Sequence, residues 1–240
     1  MNNEKNIQVI IDSSTDIAPR LENRVHIVPL TLSFNGKEYL DGIDMSRMEF
    51  YEKLENEDVM PKTSQVTPAA FDKVFAKIHE KGQEAIVITV SSGLSGTWQS
   101  ASLAAQEYPE IRVVDSCNVA IGAGILTEYA IQCIDQGMNL RELEAVLIKM
   151  RSKVRLLAKL DTLEYLKRGG RISKTTALAG GMMHIKPVIT IEEGQIRILG
   201  KARGAKKANN YLTQQVQEYG ADTSLPVLLG YTGTSDALLK

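Results

Sequence analysis

Ala85-Ile86-Val87-Ile88-Thr89-Val90, followed at once by Ser91-Ser92-Gly93-Leu94-Ser95-Gly96-Thr97, is the stretch on which the fold reading turns. The first run is apolar or β-branched throughout and bounded by polar residues, the signature of a strand buried on both faces. The hydroxyl- and glycine-rich run reads as a loop opening a helix that extends to about Ala105. A strand buried on both faces needs a covering layer on each side, so the expected fold is α/β, a parallel sheet covered by helices on both faces. The same grammar recurs on either side. Residues 7–11 form another β-branched run, ending in Asp12-Ser13-Ser14-Thr15-Asp16. Residues 112–114 end in Asp115-Ser116 and precede a small-residue helix over about 120–136, then a further helix from Asn139 to about Val154.

Between the first two strands the signals are local. Residues 25–34 read as one strand region, and Asn35-Gly36 supplies a hairpin turn with 37–39 as the returning partner. Ser46 with Glu49 three residues on is a capping box. Thr67-Pro68 opens a helix running to about His79.

After about residue 155 the pattern changes. Residues 156–160, 188–191 and 195–199 read as strands, with Glu192-Glu193-Gly194 as a hairpin turn. A helix over 205–218 precedes a last strand over 226–231. The expectation is therefore an α/β domain over 1–154 and a second, smaller α+β two-layer domain over 155–240. Thr234-Ser235-Asp236 resembles a helix N-cap, yet Lys240 follows barely one turn later, so the second domain reads as truncated.

Composition narrows the function. The 28 basic and 29 acidic residues nearly cancel, unlike the footprint of a nucleic-acid binder. Residues 1–8 are polar and lead straight into a strand, so no signal peptide is expected. Apolar runs such as 85–90 are too short for an integral membrane segment. Cys117 and Cys133 form no CxxC pair and read as reduced, buried thiols, which points to a cytoplasmic protein. His26, His79 and His184 are scattered, so no metal and no cofactor are expected.

Ligands of open parallel sheets bind at loops leaving the carboxyl ends of the strands. The Ser91 to Thr97 loop places glycines and hydroxyls at a helix start, where unpaired N–H groups attract an anion. A plain helix cap fits the same residues. Gly93-Leu94-Ser95-Gly96-Thr97 fails the G-x-S-x-G elbow of a serine hydrolase, leaving a hydrolase or transferase acting through Ser95 as the alternative. Gly122-Ala123-Gly124 lacks the third glycine of a dinucleotide fingerprint. Residues 166–173 and 201–207 are basic clusters, readable as solvated turns or as arginines presented to a phosphate or an acidic partner.

Taken in order, Asp12–Asp16, Thr63-Ser64-Gln65, Ser92-Gly93-Leu94-Ser95-Gly96-Thr97, Asp115-Ser116, 166–173, Lys186-Pro187 and 201–207 resemble the DegV family of bacterial fatty-acid-binding proteins, the B subunits of fatty acid kinase. The resemblance implies a binding subunit rather than an enzyme. Its ligand would be a long-chain fatty acid in an apolar tunnel between the domains, its carboxylate held by Thr63, Ser95 and the backbone N–H near Gly96. A separate kinase subunit would phosphorylate that carboxylate, with Arg171 and Arg203 facing the kinase or its phosphate. Ile121, Ala123, Ile125 and Leu126 fit a tunnel lining and fit plain core packing equally. The family closes with a further strand bearing a histidine near the carboxylate; this sequence has no such segment, and His184 is not its equivalent.

Overall fold

The computed structural model describes residues 7–57, 59–173 and 185–235. The first run of sequence becomes β1 (Ile7–Asp12), which lies at the centre of a parallel sheet. Its neighbours are β2 (Val25–Val28) and β6 (Glu84–Thr89), and β7 (Ile111–Asp115) extends the sheet beyond β6. All three pairings are parallel, with Val9 opposite both Val25 and Ile86. Side chains alternate between the faces. Val9, Ile11, Ile86 and Ile88 pack with α4 (Ala120–Asp135) and α5 (Leu140–Met150), through Leu126, Leu143 and Leu147. Ile10, Ala85 and Val87 face the opposite way, against Phe71, Phe75 and Ile78 of α2 (Pro68–Glu80) and Ala101 of α3 (Thr97–Ala104). This is the expected three-layer arrangement.

Residues 25–34 do not form one strand region. Pro29, with no N–H to donate to a ladder, divides it, and Leu30 donates instead to the Ser13 hydroxyl. The chain leaves the parallel sheet there and starts β3 (Thr31–Phe34) in a second sheet, flanked by β4 (Lys37–Leu40) and β5 (Lys62–Ser64). Asn35 and Gly36 both have positive φ, 51° and 80°, as the hairpin requires. The capping box on Ser46 and Glu49 opens α1 (Arg47–Asn56), whose Phe50 meets Phe34 edge-on at 5.7 Å. Leu32, Phe34 and Met45 give this unit a small core of its own. Thr63 therefore sits in a short strand that local propensity does not announce.

Beyond residue 156, β8 (Leu157–Lys159), β9 (Ile185–Glu192) and β10 (Gln195–Arg203) form an antiparallel sheet, with α6 (Glu164–Arg168) after β8 and α7 (Ala205–Tyr219) packed on the strands. Glu193 and Gly194, at φ 49° and 74°, make the tight turn between β9 and β10. Three expectations need correction. Residues 226–231 are not a strand. They have no ladder partner among the described residues, and Leu228 lies near Gly124 and Gly230 near Ile121. The helix that begins at Leu140 stops at Met150, before Val154; Lys153 N–H closes a turn on the Met150 carbonyl, and Arg151 Nη1 turns back to the Asp115 carbonyl at 3.0 Å. Cys117, in the loop after β7 with left-handed backbone (φ 50°), is only half-buried, whereas Cys133, inside α4, is buried. Residues 174–184, His184 among them, and the residues after Ser235 lie outside the described residues.

At the carboxyl end of the sheet Asp12 is fully buried. Its Oδ2 accepts the Val90 N–H at 2.7 Å, and Oδ1 accepts both the N–H and the hydroxyl of Ser14. Loss of hydration pushes its pKa up, against the pull of those hydrogen bonds. A carboxyl whose folded pKa is raised favours folding at acid pH and contributes less as pH rises through that pKa. The urea midpoint of Asp12→Asn, relative to that of the native protein, should therefore improve as pH rises from about 4 to about 7. A constant offset would show that Asp12 does not titrate in this way. Phe71→Ala, emptying a fully buried ring site against Phe75, should cost about 3–5 kcal/mol in chemical denaturation.

Candidate functional site

The loops leaving β1, β6 and β7 are laced together where a doubly covered sheet presents ligands. Ser13 N–H reaches the Val28 carbonyl at 3.1 Å, and Ser91 N–H reaches the Asn118 carbonyl at 2.8 Å. Asp115 Oδ1 accepts from Ser92 N–H (3.2 Å) and from Cys117 N–H (2.8 Å). Asp16 N–H donates to the Ala120 carbonyl, and Ala120 N–H donates to that of Ser14. Cys117 and Ala120 hold positive φ (50° each), strain that a side-chain-bearing residue tolerates only inside such a network.

The loop after β6 carries the donor groups. Leu94 and Ser95 both donate their N–H to the Ser91 carbonyl, at 3.0 and 3.1 Å. Ser95 Oγ then accepts the Thr97 N–H at 3.3 Å, capping α3 from one residue before the formal cap, Gly96. The N–H of Gly96 itself makes no hydrogen bond among the described residues. Thr97 is buried, and its Oγ1 accepts the Val66 N–H at 3.3 Å and lies 2.9 Å from Ser95 Oγ. With Val66 supplying a donor to Thr97, the Thr97 proton can go to Ser95, which leaves the half-buried Ser95 hydroxyl free to donate outward. The site thus offers an anion an amide N–H and a hydroxyl at the positive end of a helix.

The Val66–Thr97 hydrogen bond and one from Gln65 Nε2 to Ser100 Oγ (2.9 Å) fasten the chain just after β5 to the start of α3. The structure therefore brings the β5 segment carrying the exposed Thr63 to the loop that carries Ser95 and Gly96. Arg171 also reaches this loop: its Nε donates to the Leu94 carbonyl at 3.1 Å, one residue from Ser95, and its Nη1 to Gly169. Arg203 is different. It ends β10, opposite Ile185, exposed, and its side chain makes no hydrogen bond or ion pair among the described residues. The second region closes on the same loop, with Ser91 Oγ donating to the Gly194 carbonyl at 2.7 Å. A methyl group on Gly93 would come within 2.7 Å of that carbonyl oxygen, so the two backbones meet only because both residues are glycine.

Gln65 and Thr97 stand inside the quoted motifs, but nothing local in the sequence signals a role for either. A side chain that acts by reaching across to another segment leaves no periodic or capping signal. Leu126 proves to be core and Ile125 packs against that core, while Ile121 lies beside Gly230. Among the described residues Ser95 Oγ has Thr97 as its neighbour and no base; His26 pairs with Gln8 and His79 with Glu110. Among the described residues no cluster of His, Cys, Asp and Glu is placed to hold a metal, and no helix is long and apolar enough to cross a membrane.

Known proteins with this architecture match over most of the chain. The solved structure of a stearic-acid-binding protein from Eubacterium ventriosum superposes with a TM-score of 0.81 at 30% identity, covering 89% of this chain and 76% of that one. A fatty-acid-binding DegV family protein from Thermus thermophilus gives 0.80 at 33% identity, covering 89% and 77%. A DegV domain-containing protein from Caldanaerobacter subterraneus is 34% identical over 220 residues, 90% of this chain and 78% of the relative. The family model described as "Uncharacterised protein, DegV family" matches residues 6–240, and the chain belongs to that family.

Proposed function

We propose that this protein binds a long-chain fatty acid and presents its carboxylate to a partner kinase for conversion to an acyl phosphate. The observation that carries the reading is the pair of available donors at the start of α3, the Gly96 N–H and the Ser95 hydroxyl, with the Thr63 strand fastened beside them. A carboxylate leaving water needs several hydrogen bonds to its oxygens, and neutral donors provide them without a counter-charge that would compete with phosphorylation. Relatives of the same fold that are fatty-acid-binding proteins support the choice of ligand. Binding of this kind requires no cofactor.

The kinase half of the proposal rests on charge. Residues 155–219 contain twelve Lys and Arg against five Asp and Glu, and Arg171 lies against the carboxylate loop. A basic surface beside the head group suits an enzyme that brings a nucleotide phosphate to it. Arg171 steadies the loop through Leu94, and the unengaged Arg203 is the residue offered to the incoming partner.

Solvent extraction of the purified protein followed by mass spectrometry should release a fatty acid. In titrations of delipidated protein, each added CH₂ should tighten binding roughly four-fold, the equivalent of about 0.8 kcal/mol. Ser95→Ala and Thr63→Val should each weaken acid binding about ten-fold while leaving the chain-length increment intact. Binding that ignores chain length, or a Ser95→Ala protein that binds as well as the native one, would sink the reading. Arg203→Glu should preserve fatty-acid binding and abolish acyl-phosphate formation with the kinase; unchanged turnover would remove Arg203 from the partner surface.

A further inference from the structure

We infer that Gln65 is the positioning residue of the head-group site, seated in a notch that exists only because residue 96 is glycine, and that this seat sets the Thr63 strand against the Ser95 loop. The inference rests on the carboxylate-binding reading above and adds to it the part that fixes its geometry.

The backbone at Gly96 does not call for glycine. Its φ and ψ, −75° and 7°, are accessible to any L-residue, and Ser, Thr, Asn or Asp would be better helix caps at that place. What excludes a side chain is space. A Cβ built on Gly96 would lie 2.0 Å from Gln65 Oε1, 2.7 Å from its Cδ and 3.1 Å from its Nε2. The whole carboxamide thus occupies the position of the absent side chain. It is held there from the other side, where Nε2 donates to Ser100 Oγ one turn along α3. The next residue, Val66, is buried and donates its N–H to Thr97 Oγ1, the hydroxyl that touches Ser95.

Gln65 contributes little as core, since it is exposed, yet it crosses from one structural unit to another. Thr63 belongs to the β3–β4–β5 unit, which has its own small core of Leu32, Phe34 and Met45. Ser95 and Gly96 belong to the loop of the main sheet. Two donors on separately built units can hold the two oxygens of one carboxylate only if their separation is set to a fraction of an ångström. The Gln65 carboxamide, two residues from Thr63 and packed on Gly96, is the contact that sets it.

Stearic acid and stearyl alcohol, titrated into delipidated native, Gln65→Ala, Gly96→Ala and doubly substituted protein, separate this role from a general one. The tail is common to both probes, so the acid-to-alcohol affinity ratio reports the head-group geometry alone. The ratio should fall about ten-fold in Gln65→Ala, the loss of one well-placed hydrogen bond to a charge, with the thermal midpoint nearly unmoved. Gly96→Ala should lower the ratio as much by expelling the carboxamide. The double variant should be no worse than either single one, because its methyl group enters space already vacated. A native ratio in Gln65→Ala, or losses that multiply in the double variant, would overturn the inference while leaving fatty-acid binding intact. Failure of the native protein to bind stearic acid would instead remove the binding reading, and this inference with it.

Discussion

The hydrogen bonds that Asp12 accepts at the end of β1 are the constraint on which the functional end of the molecule depends. Parallel strands leave their carboxyl-terminal backbone groups facing loops rather than partners, and those groups need acceptors and donors. One buried carboxylate takes the Val90 N–H from the neighbouring strand and both donors of Ser14 from its own loop. That fixes where β6 gives way to the Ser91 to Thr97 loop. Burial opposes the charge, so Asp12 sits in a position that only its partners make tolerable.

From that tie the remaining contacts propagate outward in order. Ser91 receives its backbone acceptor from Asn118 and passes its hydroxyl to the Gly194 carbonyl, so this loop is one of the places where the second region meets the first. The same loop turns on the Ser91 carbonyl to start α3, and the start of α3 holds the available N–H and hydroxyl. Arg171 closes over it from the second region and Gln65 from the β3–β4–β5 unit. Three separately built parts of the chain thus converge on the loop between β6 and α3.

Much of this was legible in the order of residues. The buried strands, the hairpin at Asn35-Gly36, the capping box at Ser46 and Glu49, and the helix opened by Thr67-Pro68 are local events, written in two to six adjacent residues each. The site motifs were legible as hydroxyl- and glycine-rich loops after strands. The two strand misreadings share one cause. Residues 226–231 have strand composition without a ladder partner among the described residues, and 25–34 straddles Pro29 and divides between two sheets. Whether an extended segment is a strand depends on a neighbour that its own sequence does not contain.

The sequence by itself determined the layered α/β class, the positions of the loops that carry the chemistry, and the presence of Ser95 and Gly96 at a helix start. Periodicity, turn chemistry and capping act over a few residues, so one dimension is enough to express them. Only the tertiary structure decided that Thr63 lies on a strand of a separate small sheet, that Arg171 reaches the loop while Arg203 stays unengaged, and that the missing side chain of Gly96 is the seat of Gln65. Those are relations of distance between residues some thirty to eighty apart in the chain, set by packing and exclusion, which no local pattern encodes.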